Sequence, residues 1–155
     1  SVSVSVTAGT TLTKNVTLVL AQTTPTSSNL ARTGVASASS TGSGRNTASK
    51  AIDGSMYSYW QSSSAGTQWL SVDLRSTKTL DRVVVSWYSD NYARAYRVET
   101  STDGRNWTSQ YSTTSGSRGS NTITLSSVSA RYVRVYCTNA NKGDYRIGEF
   151  EVWGY

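Results

Sequence analysis

Covalent chemistry needs groups that move protons, attack or hold a metal, and this chain of 155 residues is short of them. It has no histidine. That excludes Ser-His-Asp and Cys-His nucleophilic catalysis and every histidine-based metal site. Its single cysteine, Cys137, ends the alternating run Tyr132-Val133-Arg134-Val135-Tyr136. This reads as a buried small apolar side chain rather than a reactive thiol, and one cysteine builds no internal disulfide. Asp and Glu together number only 9. The pair best spaced for a glycosidase or lyase is Glu149 and Glu151, which share one face of a strand. Strand register already accounts for both, so no catalytic residue is assigned.

Residues that recognise without reacting are more plentiful. The chain has 5 Trp and 10 Tyr, whose flat faces either fill a core or stack on a sugar. The formal charge is +6, but Arg82, Arg97, Arg131 and Arg134 stand on alternating strand positions. That describes solvated faces, with a patch for an anionic glycan as the alternative and no nucleic-acid stripe. No apolar run reaches membrane-spanning length. The chain starts without a signal peptide, so secretion implies a leader that was removed or lay upstream.

The elements that must position these groups are strands. One Pro, 12 Gly and only 15% charged residues fit a hydroxyl-covered all-β module. Its length suits one compact domain with a single core. Short strands are predicted at 68–74, 80–87, 95–101, 106–111, 121–126, 131–138 and 147–153, several with two-residue alternation. Asp103-Gly104 marks a turn. Residues 1–22 read as an additional N-terminal hairpin or strand pair, and 23–28 as a linker. The hairpin is either the tail of a preceding module or an extension docked on the main domain. The boundaries are therefore 1–28 and 29–155. Regular short strands predict a sandwich or barrel. Trp60, Trp69, Trp107 and Tyr96 are assigned to its core.

An ordered set of blocks runs from Asn29 to Gly154. Asn29-Leu30-Ala31 opens it. Lys50-Ala51-Ile52-Asp53-Gly54 and Ser58-Tyr59-Trp60 follow, then Gln68-Trp69-Leu70-Ser71-Val72-Asp73-Leu74. Next come Tyr96-x-Val98, Ser101-Thr102-Asp103-Gly104-x-x-Trp107 and Ala130-Arg131-Tyr132-Val133-Arg134-Val135. Ile147-Gly148-Glu149-Phe150-Glu151-Val152-Trp153-Gly154 closes it. Together these blocks resemble the discoidin, or F5/8 type C, domain and within it carbohydrate-binding module family 32. Ser58 stands where that family usually has Thr.

The resemblance implies a discoidin-like jelly-roll β-sandwich with a structural Ca²⁺. Its ligands would be Asp53, the carbonyls of Lys50 and Ser55, the Ser58 hydroxyl and Glu149, with Glu151 left open as the alternative. It also implies a saccharide site on the loops at one end of the sandwich. The candidates there are Tyr145, Tyr88 and Tyr59 as stacking rings, with Asn91, Asp90, Tyr92, Arg94, Arg146 and Asn46 around them. The expected function is that of a secreted, monomeric, non-catalytic module holding the catalytic domain of its own parent chain on a polysaccharide. A neutral glucan or a galactose-containing glycan is favoured, because few carboxylates stand in these loops to receive a cationic one. The alternative is an adhesion domain for protein or lipid. Such members usually have a Cys pair and apolar loop tips. The expected partners include neither nucleic acid nor membrane.

Overall fold

The computed structural model describes residues 24–155, so the N-terminal hairpin expected at 1–22 lies outside the described residues. Eight strands follow: β1 Ser28–Asn29, β2 Val35–Ala38, β3 Trp60–Gln61, β4 Gln68–Trp87, β5 Ala93–Ser101, β6 Thr108–Thr113, β7 Ser120–Ala140 and β8 Arg146–Gly154. Short 3-10 turns at Leu30–Thr33 and Ala48–Ala51 join the first of them. Ser28, assigned to the linker by sequence, pairs with Gly154.

Two of these strands fuse segments that the sequence separates. β4 joins the predicted strands 68–74 and 80–87, and β7 joins 121–126 and 131–138. Their shared ladder is broken between Asp73/Lys78 and Leu80/Arg82. Arg75 takes a left-handed φ of 69° there, which suits an irregular corner rather than a continuing strand. The break divides the pairings into two layers. In one, the first part of β4 pairs with β2 and the last part of β7, and β5 and β6 continue outward. In the other, the second part of β4 pairs with β8 and the first part of β7, and β1 and β3 border β8. This is the expected discoidin-like sandwich.

Alternation decides what lies between the layers. Leu70, Val72, Leu74, Val83, Val85, Val98, Val133, Val135, Cys137, Phe150 and Val152 are all buried, as are Trp60 and Tyr96. Trp87 meets Tyr96 edge-on at 5.5 Å. Full burial of such side chains contributes about 1.5–3 kcal/mol each.

Trp69 and Trp107 correct the sequence reading. Both are only half-buried: alternation along β4 places Trp69 outside, and Trp107 lies in the turn just before β6. Trp69 pairs with Tyr136 on the outer face of the first layer. The Arg134 guanidinium lies 4.1 Å from the Trp107 ring centroid and 4.9 Å from that of Tyr136, and Arg97 stands 4.6 Å from Tyr136. Glu99, which is buried, accepts from Arg97 at 2.8 Å and from Arg134 at 2.6 Å. This ladder ties β5 to β7 without a disulfide, since Cys137 is free and buried.

Candidate functional site

At one end of the sandwich, four connections converge. β3 puts Gln61 directly opposite Arg146 of β8. The inward neighbours Trp60 and Ile147 are fully buried, so both polar side chains turn outward together. They meet the Asp144 carboxylate, which is 13% exposed. Gln61 Nε2 and Asn91 Nδ2 donate to its two oxygens, and Arg146 donates from Nε and Nη2 at 3.2 Å. Asn46 Nδ2 extends the network to Gln61 Oε1 at 2.9 Å.

Beside this network, Tyr59 and Tyr88 stack on each other with centroids 4.1 Å apart and planes 21° apart. The Arg146 guanidinium sits 5.6 Å from the Tyr59 ring. Backbone bonds hold the parts in place: Tyr88 N–H donates to the Arg146 carbonyl, and Arg146 N–H to that of Asn91, both at 2.8 Å. The assembly is a half-buried aromatic pair next to planar amide and guanidinium groups. Such a surface can bind a ring that has both C–H and hydroxyl faces.

Of the sequence candidates, Asn46, Tyr59, Tyr88, Asn91 and Arg146 come together. Tyr145 does not. It is fully buried, its hydroxyl donates to the Ala65 carbonyl at 3.1 Å, and burial holds its phenol above the usual range. The reason is register: Tyr145 exchanges bonds with Ser62 and continues the β3–β8 pairing, so it points inward as Ile147 does. Tyr92 packs against the core. Asp90 faces Arg118 and Lys142, each at 3.6 Å, and Arg94 donates to Asn141 at 3.0 Å, so neither joins the network. Gln61 and Asp144 complete the network, although neither is among the candidates drawn from the sequence. The signal for them was the outward register next to Trp60 and Arg146. Tyr57 is 96% exposed and its neighbour Met56 is 49% exposed, so one turn at the surface is less polar than the sequence implied.

The metal candidates form a second cluster. The Ser58 hydroxyl donates to Asp53 at 2.9 and 2.7 Å and approaches the Ser55 carbonyl at 3.3 Å. Asp53 also accepts from Ser55 N–H at 3.0 Å, and Lys50 Nζ lies 3.9 Å away. Glu149, 4% exposed, accepts from Gly54 N–H at 3.1 Å on both oxygens. Glu151 instead accepts from Trp153 Nε1 at 2.6 Å. Glu149 is therefore the carboxylate that faces the turn. Burial pushes its pKa up to about 7; Gly54 N–H and Arg32 oppose this, while Asp53 and Glu151 add to it. Among the described residues no three acids converge. The oxygen set still fits a hard cation: an acidic pair, a hydroxyl and carbonyls, with a buried carboxylate short of positive partners.

Comparison with known proteins agrees with this architecture. A family model described as the F5/8 type C domain matches residues 35–150. Among solved structures, chitosan-binding module 1 of a chitosanase/glucanase from Paenibacillus sp. IK-5 is 39% identical. That alignment covers 82% of this chain and 99% of the module, with a TM-score of 0.79. Module 2 of the same enzyme, solved with chitotriose, is 37% identical over 81% of this chain and 100% of its own, with a TM-score of 0.77. The family 32 module of Clostridium perfringens NanJ, solved with galactose, shares the fold at 22% identity. It covers 83% of this chain and 99% of its own, with a TM-score of 0.74. No curated protein matches the chain.

Proposed function

The chain belongs to the F5/8 type C domain family, and from that premise we propose that it is a non-catalytic carbohydrate-binding module. In this reading it holds a secreted bacterial glycoside-active enzyme on a polysaccharide. The observation that carries the proposal is the Tyr59–Tyr88 stack set against the network around Asp144. The resemblance to modules derived from a chitosanase/glucanase supports the accessory role.

The ligand favoured by the geometry is neutral, a glucan or a galactose-containing glycan. A glucosamine ammonium wants a carboxylate with charge to spare. Asp144 already faces Arg146, and Asp90 faces Arg118 and Lys142. Chitosan is the second reading, favoured by the 39% and 37% identities to chitosan-binding modules. Calorimetry with neutral glucan, galactoside and glucosamine oligosaccharides separates the two. Binding of none of them, by a folded protein, ends the module reading. Liposome flotation, with the exposed Met56 and Tyr57 in mind, tests the lipid alternative. Affinities of about µM–mM are expected, raised by tethering.

The same reading includes a structural calcium ion, held by Asp53, Ser58, Glu149 and the carbonyls of Lys50 and Ser55. Bound there, calcium would tie the 50–58 turn to β8 by offsetting the mutual repulsion of Asp53 and Glu149.

A further inference from the structure

We infer that the chain has a second saccharide site, on the outer face of the first layer and separate from the loop tip. The inference rests on the module reading above and extends it to a polymer held at two places. A groove of about 590 Å³ lies along the first half of β5, within the roughly 300–1,000 Å³ of small-ligand sites. Its floor is the small side chain of Ala95. Arg97 and Thr138 stand beside it, and the segment from Ser112 to Ser115 forms the opposite wall. That wall exists because the chain folds back tightly after β6. Gly116 N–H donates to the Arg94 carbonyl at 2.7 Å, and a Cβ on Gly116 would lie 2.2 Å from the Ala93 carbonyl oxygen.

Among the described residues, the groove has donors on Arg97 that no other group uses. Arg97 Nε is bound to Glu99 at 2.8 Å, and its guanidinium is 4.6 Å from the Tyr136 ring centroid. Glu99 is in turn fixed by Arg134. The guanidinium plane is thus set before any ligand arrives, and its side chain is still 41% exposed. Among the described residues, its terminal nitrogens make no hydrogen bond with the protein. A planar fork of N–H donors suits vicinal hydroxyls as well as carboxylates. Glu99 is shared by Arg97 and Arg134 and offsets only part of the Arg97 charge. Arg97 is nevertheless the one charged residue lining the groove among the described residues, and the rest of the lining presents Ser and Thr hydroxyls, so a neutral polyol fits better than a polyanion, which wants several cations. Preorganised donors avoid much of the ordering cost that weakens flexible sites. The backbone bond between Gly116 and Arg94 places the groove wall next to the loop that follows Tyr88, so one glycan chain could engage both places.

The test is an amide-resolved NMR titration with cellohexaose, laminarihexaose and glucosamine hexamer. It uses the full chain and a Tyr59→Ala/Tyr88→Ala variant. The expected result is saturable shifts at 112–115 and 138 that persist in the tip variant. Thr114→Trp, which fills the groove, should abolish them. It should also lower retardation in a polysaccharide gel by about tenfold, as loss of the second contact predicts. Arg97→Lys keeps the charge without the fork and should weaken the groove shifts alone. Shifts at the tip with none at the groove would overturn this inference and leave the module reading standing. A folded protein with no shifts at either place overturns both.

Discussion

Asp144→Asn tests whether the tip network positions ligand groups or only holds the fold. The carboxylate accepts from Asn91, Gln61 and Arg146. The isosteric amide removes the charge and turns one acceptor into a donor that faces another donor. Hydrogen bonds to a charged group are worth about 1.5–3 kcal/mol each. Arg146 is 29% exposed, so water replaces part of what it loses. The net cost to folding is about 1–2 kcal/mol, a drop in Tm of roughly 3–8 °C for a domain of this size. The cost to binding should be larger than that modest loss suggests. Asn91, Gln61 and Arg146 would no longer be held in one geometry, and misaligning two donors forfeits about 1.5–3 kcal/mol, or roughly 10–100-fold in Kd. Calorimetry with whichever neutral oligosaccharide the wild type binds measures the second figure, and a thermal melt measures the first. A Tm lowered as expected with Kd unchanged within about twofold would refute the argument and make Asp144 a staple with no bearing on the ligand.

Other outcomes follow from the same geometry. Tyr59→Ala and Tyr88→Ala should each weaken saccharide binding at least about tenfold, consistent with loss of a stacking face, and fluorescence titration reads it. Tyr145→Ala should instead cost about 3–5 kcal/mol of stability because it opens a cavity, while Tyr145→Phe leaves the saccharide Kd unchanged; denaturant melts with parallel titrations distinguish the two roles. Calcium at 100 times its Kd should stabilise by about 2.7 kcal/mol, so a melt in chelator that matches one in calcium removes the metal from the account. Hydrogen bonds from Arg131 hold the Asp73 carboxyl below its ordinary value. A depressed folded value contributes stability above the unfolded carboxylate range, near pH 4, and loses it as pH falls through the folded value. Asp73→Asn should therefore flatten the acid limb of the stability curve below about pH 4, and an unaltered limb would show that this pair contributes nothing to it.

What the sequence showed and what it hid have physical causes. Alternation revealed the strands of both layers, because one-sided burial imposes a two-residue period that composition cannot disguise. It did not reveal that β4 and β7 each run through a corner, since Arg75 carries no glycine signal for its left-handed turn. Two-residue strands such as β3 are too short to show any period, yet β3 supplies Gln61 to the site. Tyr145 follows the polar run Lys142-Gly143-Asp144, and nothing in that local composition signals burial. Pairing with Ser62 extends the ladder back before the start of β8 and turns that ring inward.

The outer ladder shows the same limit in reverse. Trp69 and Trp107 read as core because tryptophan is costly to leave in water. Strand register exposes one side of Trp69, while Trp107 sits in the turn before β6, where Arg134 covers it. Glu99 feels two opposed influences. Burial raises its carboxyl, and the hydrogen bonds from Arg97 and Arg134 together more than offset this, leaving it below the usual value. A charged, buried Glu99 is what keeps both guanidinium planes fixed against the aromatic rings. The outer face thus presents ordered donors at the cost of desolvating one carboxylate. Leucines at the same positions would give a sheet face of equal area with no oriented N–H groups and nothing to recognise a hydroxyl-bearing ligand.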